Sequence, residues 1–184
     1  MGPVAPKNSD GRGKIHKMII GIVSDSHGQL APLRAAIELF GQRRVEAVVH
    51  CGDIGSIQCL DVLGHRDIPV FAAAGNVDCD VPGMLDAAAN AGVRLGWEMI
   101  EVPLPDGGSL AATHGHNALL LRSLIDTGRF AYVCHGHTHK RRDELIDNTR
   151  VINPGALHRT PQPTVAILVT GRDTLEFLDL PRKL

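Results

Sequence analysis

"MIIGIVSDSHGQLAPLRAAIELFGQRR" occupies residues 18 to 44 and joins two different periods of hydrophobicity. "MIIGIV" is an apolar run of strand length, whereas Leu30, Leu33, Ile37 and Phe40 recur at three- and four-residue spacings, the mark of an amphipathic helix. Together they predict a β-α unit. The pattern then repeats: "EAVVH" (46–50) reads as a second buried strand, residues 56–64 as a short helix, and "PVFAAA" (69–74) as a third strand behind the Pro69 breaker. Strand-helix-strand repetition implies parallel neighbours and right-handed crossovers.

Further along the pattern is mixed. "VPGMLDAAANAG" (81–92) predicts a short helix ending at Gly92, and "RLGWEMIEVPL" (94–104) and "GSLAATH" (108–114) read as two strands joined by the turn "PDGG". "NALLLRSLIDTG" (117–128) has helical spacing and a C-terminal glycine, and "FAYVC" (130–134) is a strand. "RDELI", "TRVIN", "TVAILV" and "TLEFLDL" follow as strands with tight turns such as "DN" and "TGRD". Two sheets packed face to face with helices outside is the economical architecture for this order.

The 184 residues suit one domain over 18–184 behind a flexible N-terminal tail over 1–17. The tail has no apolar h-region, and Pro6 stands where a myristoylation motif needs Ser or Thr. Hydrophobic residues make up 43% and charged residues 21%, with aromatics only 3%, so the core is expected to be aliphatic. The formal charge of -1 provides no global field for a long nucleic acid or an anionic membrane, and no run reaches the roughly 18 apolar residues that span a bilayer. Cys51, Cys59, Cys79 and Cys134 form no C-x-x-C pair, which points to reduced thiols and a cytoplasmic location. A homo-oligomer is compatible with all of this.

Ten histidines are about twice the usual number, and imidazole is the commonest metal ligand. Their placement matters more than their number. Five predicted strands run into polar residues beside glycine: "SDSHG" with Asp25 and His27, "CGDIG" with Asp53, "GNVD" with Asn76 and Asp78, "HGH" with His114 and His116, and "HGHTH" with His137 and His139. Parallel strands bring their carboxyl ends to one edge, where ligands generally bind. Asp25, His27, Asp53, Asn76, His114, His137 and His139 make an oxygen and nitrogen donor set suited to Mn²⁺, Fe or Zn²⁺. Seven donors are too many for one ion and fit two that share a carboxylate. In Asp25-Ser26-His27 and His137-Thr138-His139 an extended backbone would send both flanking side chains to one side.

These motifs, in this order, resemble the calcineurin-like metallophosphoesterase superfamily. Their compact arrangement is similar to its small bacterial and archaeal phosphodiesterase group, whose eukaryotic relative is the retromer subunit Vps29. The resemblance covers residues 18 to 180 and implies a four-layer α-β-β-α sandwich of two mixed sheets, with the metal site at the strand ends. It implies Asp25, His27 and His139 on one metal, Asn76, His114 and His137 on the other, and Asp53 as the bridge. Asp53, Asn76 and His114 would then serve catalysis directly, with a metal-activated hydroxide attacking the phosphorus of a small phosphoester in line. The implied cofactor is a pair of divalent transition-metal ions, Mn²⁺ foremost, with Zn²⁺, Fe or Ni²⁺ as alternatives.

One departure stands out: Val77 fills the place where many members carry the histidine of "G-N-H-D/E". That leaves Asp78 and His116 as the candidate proton donors. The competing expectation is a Vps29-like scaffold that binds metal and protein partners without catalysis. It would be marked by eroded ligands, and none of the seven is eroded. A metallo-β-lactamase reading lacks its H-x-H-x-D-H motif.

Blander readings are expected elsewhere. His50 and His135 are assigned to packing or support of the ligands, His16, His65 and His158 to the surface, and Cys79 to a small buried filler. "KRR" (140–142) is read as a solvated loop. "NPGALHR" (153–159) resembles a family turn, and its Arg159 is a candidate phosphate contact.

Overall fold

The computed structural model describes residues 17–64 and 67–181, so His16, His65 and all but the last residue of the expected tail lie outside the described residues. The opening stretch folds as β1 (Ile19–Val23) and α1 (Leu30–Gln42). After them come β2 (Ala47–Cys51), α2 (Ile57–Leu63), β3 (Val70–Ala73), α3 (Val81–Ala91) and β4 (Val93–Gly96). The second half contains β5 (Met99–Pro103), β6 (Ser109–Thr113), α4 (Ala118–Asp126), β7 (Tyr132–Cys134), β8 (Arg142–Ile146), β9 (Thr149–Asn153), β10 (Thr164–Val169) and β11 (Thr174–Asp179).

One sheet runs β11-β10-β1-β2-β3-β4, and the other runs β5-β6-β7-β9-β8. Strands β1 to β4 are parallel, as are β6, β7 and β9, while the outer partners are antiparallel. Each parallel set therefore delivers its carboxyl ends to a single edge.

Strand alternation sorts side chains between layers. Ile20 and Ile22 of β1, with Val49 and Phe71, meet Leu110, Cys134 and Ile152 between the sheets. Val23, Val48 and Val70 point the other way, onto Leu33, Phe40, Leu60 and Met84 of the three helices. Ala111 and Val133 face outward from the second sheet against Leu124 of α4. Three apolar interfaces stacked in this way make the four-layer α-β-β-α sandwich. The helix caps agree with local chemistry: the Asp80 and Asn117 side chains accept from Gly83 N–H and Leu120 N–H at the starts of α3 and α4.

One expected element divides. "RLGWEMIEVPL" is two strands in two different sheets, broken at Gly96–Trp97–Glu98. A side chain at Gly96 would collide with the Met99 carbonyl oxygen, so this glycine permits the sharp crossing from one sheet to the other.

Candidate metal centre

The loops that leave β1 and β2 are zipped together by backbone bonds from Asp25 N to Gly52 O (3.0 Å), His27 N to Asp53 O (2.9 Å) and Gly28 N to Ile54 O (2.9 Å). Asp25, His27, Asp53, His137 and His139 all have positive φ, between 46° and 65°. The extended backbone expected for the Asp-x-His and His-x-His pairs is thus replaced by left-handed turns. Non-glycine residues adopt this region at a cost, and such strain clusters at functional sites.

The side chains converge in two groups. His139 Nε2 is 3.1 Å from Asp25 Oδ1, and His27 Nε2 is 3.4 Å from His139 Nε2 and 3.9 Å from Asp25 Oδ1. In the second group His114 Nε2 is 3.1 Å from Asn76 Oδ1 and 3.2 Å from Asp53 Oδ1. The His137 ring stands edge-on to His114, centroids 5.1 Å apart. Asp53 faces both groups, because its other oxygen, Oδ2, is 3.5 Å from His27 Nε2. All seven expected ligands are therefore brought together. Asp25 is also close enough to Asp53 and His114 to form a second donor triad with them.

The donor atoms fit cations. His114 Nδ1 lies 3.0 Å from Cys51 O and His139 Nδ1 lies 3.4 Å from Arg159 O, contacts that place the ring proton on Nδ1 and aim a lone pair on Nε2 into the cluster. Nε2 lone pairs then face each other and carboxylate oxygens at 3.1–3.5 Å, which is repulsive unless positive charge lies among them. Asp25 Oδ1 is buried and finds no hydrogen-bond partner among the described residues; its approach to His139 supplies distance without bonding geometry. An orphaned buried carboxylate oxygen is costly, and a metal ion would satisfy it.

Without a metal, protons would partly take the cations' place. Burial pushes the Asp25 carboxyl above its ordinary range. Burial also pulls the His114 pKa down, but its bonds to Asp53 and Cys51 outweigh that and leave it raised. Asp53 is the mirror case, with the His114 partner and the Val77 N–H overcoming burial to hold it low. For His27 burial dominates the neighbouring carboxylates, and its pKa falls.

The two proton-donor candidates differ. The buried carboxylate of Asp78 accepts N–H from Ile54 (3.1 Å), Gly55 (2.7 Å) and Gly75 (2.8 Å), an orienting role. Those bonds staple the "GDIG" loop to the "GNVD" loop. His116 is exposed at the mouth, its ring 5.5 Å from His114 and 6.4 Å from His137. Burial and these two rings lower its pKa. Val77 turns its side chain outward while its N–H donates to Asp53 Oδ1 at 3.1 Å, a bond that the backbone of any residue except proline can supply.

Several blander expectations change. Cys79 is exposed instead of buried, at the end of the loop that carries Asn76. In "KRR" Lys140 and Arg141 are exposed, with Arg141 paired to Asp179 over Phe177, while Arg142 is half-buried and binds Glu144. His158 is half-buried, with its ring 5.7 Å from His27 and its N–H on Asp25 O. Its position in the "NPGALHR" turn was the available signal. Arg159 contributes its carbonyl to His139, and its guanidinium is near enough to His27 to help lower that pKa.

His50 supports the cluster from beneath. It is fully buried, and its Nε2 lies 2.9 Å from Ser26 Oγ, which donates to Ile54 O; its Nδ1 has no hydrogen-bond partner among the described residues. Burial pushes its pKa down to about 3. The unfolded chain takes up this proton below about pH 6.5 and the folded protein does not, so stability is lost as pH falls from there toward about 3. Denaturant titrations of metal-free protein at pH 7 and pH 5 should show His50→Gln losing less stability than wild type, by about 2 kcal/mol. Equal losses would place the acid sensitivity elsewhere.

A family model described as the calcineurin-like phosphoesterase superfamily domain matches residues 18–173. The chain is 35% identical over 160 residues to a phosphodiesterase of Methanocaldococcus jannaschii, covering 84% of this chain and 95% of that protein. It is 25% identical over 175 residues to a probable metallophosphoesterase of Bacillus subtilis, covering 88% and 91%. A solved archaeal phosphodiesterase superposes with a TM-score of 0.81 at 33% identity, over 89% of this chain and 100% of that one. A Vps29 from Entamoeba histolytica shares the fold, with a TM-score of 0.61 at 17% identity over 89% and 100%.

Proposed function

This chain belongs to the calcineurin-like phosphoesterase superfamily, and from that premise we propose that it is a binuclear metal-dependent phosphodiesterase acting on a small phosphoester. The observation that carries the reading is Asp53, with one oxygen toward His27 and the other toward His114. A single carboxylate turned to two donor groups fits a bridge better than a ligand to one ion.

Asp25, His27 and His139 would hold one ion, Asn76, His114 and His137 the other, and Asp53 both. Bound there, divalent ions supply Lewis acidity and an activated water. The chain's residues do the rest. Cys51 O and Arg159 O hold the Nδ1–H of His114 and His139, so that each ring is already turned with its Nε2 toward the ion it would bind. The Val77 N–H keeps the Asp53 carboxylate oriented. With Asp78 committed to its loop, His116 is the candidate left to hand a proton to a departing alkoxide.

Chelator-stripped protein should be inactive and regain hydrolysis of bis-nitrophenyl phosphate with Mn²⁺, with Zn²⁺, Ni²⁺ and Mg²⁺ assayed beside it. Nitrophenolate leaves without an acid, so the assay does not depend on His116. No turnover with any ion, despite two bound equivalents, would favour the non-catalytic scaffold.

A further inference from the structure

Beside His139 the surface opens into a cavity of about 320 Å³ lined by His139, Arg141, Thr160, Gln162, Thr164 and Asp179. We propose that this cavity holds one ester arm of the substrate and that this arm carries neighbouring hydroxyl groups, as in a glyceryl or ribosyl phosphodiester. The inference rests on the phosphodiesterase reading and names its substrate class.

The position comes first. One wall of the cavity is a candidate metal ligand, so a phosphoryl group at the metals would lie next to it. The volume is at the lower end for ligand pockets and suits a group the size of a sugar. The cavity is also preformed. The loop that makes its floor is tied down by Leu157 N to Ser24 O and His158 N to Asp25 O (both 3.2 Å), by Thr164 N to Ala156 O (3.1 Å), and by Thr164 Oγ1 to Pro154 O (2.7 Å). Gln162 Nε2 adds a bond to Leu180 O (2.8 Å).

The lining selects the chemistry. Apart from His139 it is made of hydroxyl, carboxamide, guanidinium and carboxylate groups, and the aromatic ring of Phe177 is covered by the Arg141 guanidinium. An aryl or alkyl arm would strip the exposed Arg141 and Asp179 groups of water and return no hydrogen bonds. A second phosphate is also poorly served, because Arg141 is already paired with Asp179. A guanidinium next to a carboxylate presents donors and acceptors side by side, the complement of a vicinal diol, whose hydroxyls both give and take.

The test keeps the leaving group constant and varies the other arm. Nitrophenyl phosphodiesters with glyceryl, ribosyl or ethyl as the second group are compared in the Mn²⁺-loaded full-length protein, with turnover counted as the acyclic monoester, because a vicinal hydroxyl can also expel nitrophenolate by cyclisation. Wild type should prefer the hydroxylated arms over ethyl by about tenfold or more in kcat/KM, the size expected from one hydrogen bond to a charged group. Arg141→Gln and Asp179→Asn should both bring that ratio toward one. The pair is exposed, so both variants should fold. Methylphosphinates that carry the glyceryl or ethyl arm through a P–C bond, and so have no ester to hydrolyse, give the same ratio as dissociation constants by calorimetry. A binding ratio near one in wild type, or one that survives in both variants, overturns the inference. No turnover together with a retained binding preference overturns the hydrolase reading and keeps the diol site. Preference for glyceryl over ribosyl, or the reverse, tells which diol the cavity fits.

Discussion

Asp53→Asn should lower turnover of bis-nitrophenyl phosphate by roughly 10²- to 10⁴-fold, the equivalent of the 3–5 kcal/mol typical when one partner of a buried charged set is removed. The substitution keeps the shape of the side chain, and an amide oxygen can still accept the Val77 N–H. What changes is charge. Asp53 is buried and turns one oxygen to His27 and the other to His114, so asparagine removes a negative charge from between both proposed ions. It also turns an amide NH₂ toward the Nε2 of His27, where a lone pair would coordinate a metal. Calorimetric titration with Mn²⁺ should therefore show both binding events weakened, not one. A variant that keeps wild-type turnover would rule out the bridge. A variant that weakens only one event would confine Asp53 to one metal.

The legible part of this molecule was its strand ends. Five motifs could be placed on one edge because apolar runs that stop at glycine and a polar residue leave few other positions for a parallel sheet. What escaped was backbone conformation. Asp25 and His27, like His137 and His139, reach the cluster through positive φ, and no period-2 argument can show that. The crossing at Gly96 was hidden for a related reason: "RLG" and "MIEVP" have strand character alike, and only the collision at Met99 O reveals the break. Supporting roles were similarly invisible. Asp78 looks like any acid beside a metal motif until its three backbone N–H partners are seen. His158 looks like surface until the turn that carries it folds over Asp25.

Asn153 is the residue on which the "GHTH" loop depends, and Asn153→Ala should cost about 2–4 kcal/mol of stability and weaken metal binding about 10- to 100-fold. The side chain is fully buried at the end of β9. Its Nδ2 donates to Gly136 O at 2.8 Å and to Thr138 Oγ1 at 3.1 Å, and its Oδ1 accepts the Gly155 N–H at 2.9 Å. These bonds hold the segment between His137 and His139 from one side. From the other, a side chain at Gly136 would collide with Ser24 Oγ and come within 2.6 Å of Asp25 Oδ2, so the loop is seated directly on the first metal motif. Alanine empties the near side of that clamp and leaves the Gly155 N–H without an acceptor. Asn153→Asp separates the two halves of the role, because it keeps an acceptor for Gly155 but offers no donor to Gly136 or Thr138. If the donors matter for the metals, Asp should bind Mn²⁺ as poorly as Ala in calorimetry. If the turn at Gly155 matters more, Asp should recover most of the affinity. Wild-type affinity and an unchanged denaturation midpoint in both variants would remove Asn153 from the support of the metal loop.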